Sequence, residues 1–385
     1  MLHWEQDGQA LSGSWYSSNG RPRPKSLVVV DDQLTAIQAM KYAAQGVAML
    51  WVGDFHNAKQ MLSAMDRRLA KTPRKKQPVE PTPAEEFYKI RQARAQRSRM
   101  LSLLLVPVVF SGSAVTARVP LSRAPELAAA ISFGYADQPG FGQSTAVLSL
   151  QELVGVQGAH QWFIKGVEVP ALGETIHPHY GTFLPTRHEY VDLVAQAPLP
   201  SHEFAVDIGT GTGVLAALLV KRGVAKVTGT DIHQRAVDCA NDTFRRLGIE
   251  QHAEAQLTHM FPTIKAPLII CNPPWLPGSA PTSLDAAVYD PGSKMLKDFL
   301  TGLPKHLTED GEGWLIISDL AELLELRRPE ELTQTIAQAG LEVIDRLQTT
   351  PTHSRARDTS DLLHTARSKE VTSLWRLRVA SGSRD

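Results

Sequence analysis

The chain has 385 residues, of which 43% are hydrophobic and 21% charged; this excludes a disordered polypeptide and exceeds the length of one ordinary domain, so two are expected. Lys+Arg and Asp+Glu number 40 each, so no global charge draws the protein to nucleic acid or to a membrane surface, and any electrostatic recognition is local. The two cysteines, Cys239 and Cys271, are too few for a disulfide framework or a zinc cluster and fit a reducing cytoplasm.

The first residues, Met1-Leu2-His3-Trp4, lack the basic and apolar regions of an export signal, and the longest apolar stretch, Leu101 to Phe110, is broken by Ser102 and Pro107. Neither export nor a membrane span is expected, and the expected location is cytoplasmic. After a polar lead to Lys25, Leu27-Val28-Val29-Val30 reads as a buried strand, residues 33–45 as a helix ended by Gly46, and Val47 to Val52 as a second strand. An amphipathic helix to about Ala70 follows, with Asp54 as its N-cap. No glycine-rich loop follows the first strand, so residues 1–70 read as a small α/β accessory domain without a phosphate cradle.

Residues 71–105 read as a basic, proline-rich linker and a helix from Ala84 to Leu105. Residues 67–99 hold eleven Lys/Arg against three Glu, a concentration that is either a solvated helix face or a phosphate-binding arm carrying Arg91, Arg94 and Arg97. The pattern weakens over residues 106–170, a connecting or substrate-recognition region with strands near 104–110 and 160–169 and a helix near 124–133. From 171 to 385 it strengthens: a helix near 187–197, then strands near 203–208, 225–231, 253–258, 267–272, 312–318, 341–348 and 371–379 with helices between most of them. This alternation predicts a mostly parallel seven-stranded sheet covered on both faces, with an antiparallel last pair.

Three segments carry chemistry. Asp207-Ile208-Gly209-Thr210-Gly211-Thr212-Gly213 is a strand entering a glycine turn and then a helix, where backbone can approach a ligand. The glycines alone leave NAD and S-adenosylmethionine open, because Gly211-x-Gly213-x-x-Ala216 also matches a loose dinucleotide fingerprint. The acid before them favours S-adenosylmethionine: Asp207 suits a cationic amino-acid moiety better than a diphosphate, which a carboxylate repels. Asp231 ends the second strand, where a carboxylate can accept both ribose hydroxyls. Third, Leu268-Ile269-Ile270-Cys271 leads into Asn272-Pro273-Pro274-Trp275.

With the glycine loop and Asp231, that tetrapeptide resembles the Asn-Pro-Pro-aromatic signature of class I S-adenosylmethionine-dependent N-methyltransferases, the NPPW form of it. The likeness spans roughly residues 160–380 and is similar to the methyltransferase small-domain enzymes, which include two-domain ribosomal RNA guanine-N2 methyltransferases and release-factor glutamine methyltransferases. It implies a Rossmann-like methyltransferase sheet, S-adenosylmethionine as cofactor, and methyl transfer to a planar amino nitrogen. Asn272 and the Pro273 carbonyl would hold the amino hydrogens, Trp275 would stack on the target, and Pro273 and Pro274 would stiffen the loop. Phe183, Pro185, Ile232 and His259 would line the cofactor with Asp207, Gly209, Thr210, Gly211, Gly213 and Asp231; Arg187 and Tyr289 would face the substrate. Relatives usually place an acid after the third strand where His259 stands, and the glutamine branch has Arg where Thr186 stands. His177-Pro178-His179 has no further ligand cluster nearby in sequence, so no metal is expected. The expected substrate is an exocyclic guanine or adenine amino group in ribosomal RNA, with glutamine in a translation protein as the alternative within catalysis. A non-catalytic cofactor-binding partner and an NAD-dependent oxidoreductase are the alternatives from other classes.

Overall fold

A computed structural model describes residues 1–70, 81–111, 116–143, 145–183, 187–280, 282–351, 359 and 361–381. The chain forms two compact units, one of Met1–Pro81 with Tyr88–Gln161 and the other of Thr82–Phe87 with Trp162–Asp385. Most of the expected linker, residues 71–80, lies outside the described residues.

The first unit is larger than the expected accessory domain. Its strands are β1 (Leu2–Gln6), β2 (Gln9–Trp15), β3 (Leu27–Val30), β4 (Ala48–Trp51), β5 (Leu104–Ser111), β6 (Thr116–Arg118) and β7 (Ala146–Ser149). They form one sheet ordered β1-β2-β7-β5-β4-β3, with β6 paired to β5. Residues 1–70 therefore do not close a sheet alone, and residues 106–170 are not a separate connecting region. β5 and β7 are the mostly apolar, mostly buried central strands against which β4 and β2 pair. The lead before Lys25 is a hairpin rather than an irregular segment. Its signal is Asp7-Gly8, whose positive φ values of 51° and 74° suit a two-residue hairpin turn. β3, expected to be buried, is the half-buried edge of the sheet.

The helices here are α1 (Ala36–Gln45), α2 (Phe55–Ala70), α3 (Pro83–Leu101), α4 (Ala128–Tyr135) and α5 (Leu150–Lys165). α1 starts at Ala36 because Thr35 forms a capping box with Gln38, and it ends at Gly46 with φ 75°. Asp54 caps α2 by accepting from His56 and Asn57 N–H at 2.9 and 3.1 Å. α3 stops at Leu101, short of the expected Leu105, because the apolar run from Leu104 pairs with β4. Residues 160–165, expected as strand, are the end of α5; Gly166, at φ 76°, breaks the helix before the short β8 (Val167–Val169).

After β8 and β9 (Glu174–Ile176), the second unit runs α6 (Glu189–Gln196), β10 (Phe204–Ile208), α7 (Val214–Lys221), β11 (Lys226–Asp231), α8 (Gln234–Arg246), β12 (Ala253–Leu257) and β13 (Ala266–Cys271). Then follow α9 (Ser283–Ala286), α10 (Lys294–His306), β14 (Leu307–Ser318), α11 (Leu320–Leu323), α12 (Glu331–Gln338), β15 (Leu341–Thr349), α13 (His364–Arg367) and β16 (Thr372–Val379). The sheet order is β12-β11-β10-β13-β14-β16-β15, parallel except for β16, which is antiparallel to both neighbours. This is the expected α/β, Rossmann-like seven-stranded sheet with its antiparallel final pair.

Side-chain alternation builds a core on each face. Ala205, Leu268, Ile270, Trp314 and Ile316 pack with α6, α7 and α8, whereas Val206, Ile208, Ile269, Cys271 and Ile317 pack with α10 and α12. No helix among the described residues is long and apolar enough to cross a membrane.

Gly213 shows how tightly α7 seats. Its φ is 77°, and an added Cβ would stand 2.8 Å from the Phe244 ring and 3.1 Å from Ala240 Cα, both on α8. Gly213→Ala should therefore cost about 1–3 kcal/mol from overpacking and backbone strain, read as a lowered midpoint in urea; an unchanged midpoint would show that α7 and α8 can move apart.

Candidate active site

Strand order reverses at β10. The chain steps from β10 to β11 and β12 on one side, then crosses to β13 on the other, which opens a crevice at the carboxyl ends of the strands. Parallel pairing brings Ile208 level with Thr230 on β11 and with Cys271 on β13. The next residues, Gly209, Asp231 and Asn272, consequently leave the sheet side by side. A groove of about 930 Å³ lies over them.

The glycine loop is held by its own hydrogen bonds. Gly209 and Thr210 N–H both donate to the Thr230 carbonyl at 2.8 and 2.9 Å, and Gly213 N–H donates to the Thr210 carbonyl at 2.8 Å. Gly211 N–H donates to Asp231 Oδ2 at 3.2 Å, while His233 N–H donates to Asp231 Oδ1 at 2.9 Å. These four loop donors are thus already used, and the loop offers none of them to a diphosphate. Each Asp231 oxygen keeps a further acceptor site on the groove side. Burial holds this carboxyl above the usual carboxylate range, against the pull of its two N–H donors.

Asp207 lines the floor of the groove but is only 1% exposed, and its Oδ2 accepts from Thr210 Oγ1 at 2.7 Å. Burial pushes its pKa up to about 6, with Asp231 adding repulsion and the Thr210 hydroxyl opposing. Its first visible role is therefore to brace the loop from beneath. Gly213, expected among the cofactor contacts, does not line the groove; it packs against α8 as described above.

On the other side of the crevice, the Trp275 indole Nε1–H donates to Asn272 Oδ1 at 2.8 Å. The Arg187 guanidinium lies 4.6 Å from the Trp275 ring centroid, so one ring face that the sequence assigned to stacking on a target is already covered. Arg187 itself, expected to face the substrate, is held by Glu189, Glu370 and Thr372. Arg187 nevertheless lines the groove, as do Phe183, Ile232, His259 and Tyr289, whereas Pro185 lies outside the described residues.

Further residues complete the site. Asp290 is buried and caps α10, accepting from Met295 and Leu296 N–H at 3.0 and 3.1 Å, while its own N–H donates to Leu276 O at 2.9 Å. Met295 is thereby laid against the loop, where a Cβ on Gly209 would meet its Cε at 2.6 Å. Met295 carries no sequence signal, and neither does Arg367 from α13, which also lines the groove. Of Arg91, Arg94 and Arg97 on α3, Arg97 forks onto Asp66 with contacts of 2.5 and 2.6 Å.

Among the described residues of the first unit, β3, β4 and β5 follow one another across the sheet without a reversal of strand order. The ends of β3 and β4 are filled by the unit's own groups. Asp32 accepts from Asp54 N–H and Asn57 Nδ2, and Arg123 forks onto Asp54.

A crevice at a reversal of strand order is where open α/β sheets place a ligand site. Residues 192–337 match the family model of the methyltransferase small domain. The chain is 31% identical over 140 residues to a tRNA1(Val) (adenine(37)-N6)-methyltransferase of Cytophaga hutchinsonii, covering 34% of this chain and 58% of that protein. It is 30% identical over 122 residues to a putative protein N5-glutamine methyltransferase of Methanocaldococcus jannaschii, covering 30% and 61%. With a ribosomal protein L11 methyltransferase of Shewanella amazonensis it shares 34% over 102 residues, covering 26% and 34%. The chain spans less than two thirds of the length of each of these relatives. Among solved structures, a methyltransferase from Pyrococcus furiosus aligns with a TM-score of 0.42 at 16% identity, covering 58% of this chain and 98% of that one.

The Asp207 environment carries a pH signature. With its folded pKa raised to about 6, this group stabilises the fold below its unfolded pKa, and that contribution is lost as pH rises through about 6. In ligand-free protein, the melting temperature of Asp207→Asn minus that of wild type should rise between about pH 4 and 6.5 and then level off. A difference independent of pH would mean that Asp207 is not buried as described.

Proposed function

We propose that the protein is an S-adenosylmethionine-dependent N-methyltransferase whose target is an exocyclic amino nitrogen of guanine or adenine in RNA. The observation that carries this reading is the adjacency of the glycine loop and Asn272-Pro273-Pro274-Trp275 at the strand-order reversal. The donor set fits this cofactor better than NAD: two carboxylates line the floor, and four loop N–H groups are already engaged. Asp231 would hold the ribose hydroxyls, Ile232 would cover the base, and Asp207 would answer the charge of the amino-acid end. When bound, S-adenosylmethionine supplies a sulfonium methyl as electrophile.

An exocyclic amino nitrogen is a poor nucleophile because its lone pair is delocalised into the ring. Asn272 Oδ1 has a second lone pair beyond the one used by Trp275, and with the Pro273 carbonyl it would accept the amino hydrogens and favour pyramidalisation. Proline at 273 and 274 leaves no backbone N–H there to compete. Asp290 is committed to capping α10, and the chemistry asks for orientation rather than a strong base.

The RNA target is supported by the tRNA-modifying relative and by the basic character of α3, where Arg91 and Arg94 are half-exposed and exposed. A second reading, N5-methylation of a glutamine in a translation protein, is favoured by the pairing of Arg97 with Asp66 and by the glutamine-modifying relative, since the same loop serves a side-chain amide.

Three measurements test the proposal. Asp231→Ala should weaken calorimetric binding of S-adenosylhomocysteine by on the order of 1.5–3 kcal/mol per lost charge-assisted hydrogen bond; unchanged affinity removes Asp231 from the site. Asn272→Ala should bind the same ligand almost normally while turnover falls by about two to three orders of magnitude, and near-normal turnover contradicts the amino-group mechanism. Neutralising Arg91 and Arg94 together should lower RNA affinity regardless of sequence and reduce the slope of log K against log salt by roughly 0.7–0.9 per lost contact. If neither changes, the arm is a solvated helix and the glutamine reading gains.

A further inference from the structure

Asn272 can accept amino hydrogens only in one of its two amide orientations; turned over, it presents its own NH₂ and repels the target. The Trp275 indole is a donor only, so its 2.8 Å contact with Asn272 Oδ1 selects the accepting orientation. That selection holds only while the indole ring is fixed.

We infer that Arg187 is a positioning residue that fixes the Trp275 ring and, through it, the acceptor face of Asn272. The inference rests on the methyl-transfer reading for its purpose but on geometry for its existence. The guanidinium lies 4.6 Å from the ring centroid. It is anchored by three side chains: Nε donates to Glu189 Oε1 at 2.7 Å at the start of α6, one terminal nitrogen donates to Glu370 Oε1 at 3.0 Å just before β16, and the other reaches Thr372 Oγ1 at 3.4 Å at the start of β16. Glu370 is fully buried, and the same oxygen also accepts from Ser318 Oγ at 2.6 Å at the end of β14. Glu189 is buried as well. The plate behind Trp275 is therefore bolted to the ends of two strands and a helix, and it confines a planar target to the opposite face of the ring.

This assignment gives Arg187 a role beyond the expected contact with substrate. Its guanidinium lines the groove, and three of its five N–H donors are spent on two buried carboxylates and a hydroxyl. It also explains the choice of Arg, since lysine would keep the positive charge beside Glu189 and Glu370 but present no flat face to the ring and no fork to the acids.

Arg187→Lys is thus the informative variant, and its readout does not depend on activity. The Trp275 indole N–H is observed by ¹⁵N NMR, assigned through Trp275→Phe. Its exchange with solvent should accelerate by about tenfold or more in Arg187→Lys while the melting temperature moves little. Turnover, assayed with methyl-labelled S-adenosylmethionine on total RNA and on ribosomal protein, should fall by about a hundredfold, as expected for a displacement of the acceptor of the order of 1 Å. Affinity for S-adenosylhomocysteine should stay within about twofold, because the described hydrogen bonds of Arg187 go to Glu189, Glu370 and Thr372 and not to the glycine loop or Asp231. Should Arg187→Lys not fold, Glu370→Gln, which loosens the same anchor with an isostere, should accelerate exchange in the same direction. Unchanged indole exchange in a folded variant overturns the inference. Accelerated exchange in the variant, with no transfer by wild type to either acceptor, upholds the anchor and sinks the methyl-transfer reading instead.

Discussion

Every feature of the groove depends on parallel pairing of β10 with β11 on one side and β13 on the other. Strand order reverses there, so the connections leave in opposite directions and open the crevice, and the shared register makes three chain segments emerge at one level. A one-residue slip of β13 would turn Ile270 and Cys271 to the wrong faces of the sheet and carry Asn272 away from the glycine loop. The two apolar cores hold the register, since alternate residues of each strand are committed to opposite faces. Asp231 then ties the loop to the β11 tip through Gly211, and Asp207 braces it through Thr210.

The two sides of the crevice differ in electrostatics. On the loop side, two largely buried carboxyls face the groove with raised pKa values and no basic side chain bonded to either in the described hydrogen bonds, an environment that favours a cationic ligand. On the Asn272 side, Arg187 is ion-paired with both Glu189 and Glu370. Pairing of this kind gives rigidity, which suits the presentation of a planar amino group.

Much of this arrangement is legible in the sequence because it is local. The glycine turn, Asp231 and Asn272-Pro273-Pro274-Trp275 each lie at the end of a strand whose apolar run is recognisable, and the seven strands of the second unit fall within a residue or two of their expected positions, apart from an earlier start to β14. What escapes is non-local. Arg187 and Glu370 are 183 residues apart, and nothing in either neighbourhood announces the pair. Arg97 reads as a free cation until Asp66, 31 residues away on α2, is brought beside it. The extent of the first unit is hidden for the same reason: its central strands β5 and β7 lie far along the chain from β3 and β4, and their pairing is invisible to a window of a dozen residues. The Asp7-Gly8 hairpin, by contrast, was open to reading and hidden only by the polar residues around it.

The central claim is that the crevice at β10 receives an adenosyl methyl donor, with Asp231 on the ribose and no diphosphate at the loop. Titration calorimetry of the intact protein with S-adenosylhomocysteine and, separately, with NAD tests it most directly. The account predicts saturable one-to-one binding of S-adenosylhomocysteine and no measurable heat from NAD at the same concentrations. Binding of NAD with none of S-adenosylhomocysteine would contradict it.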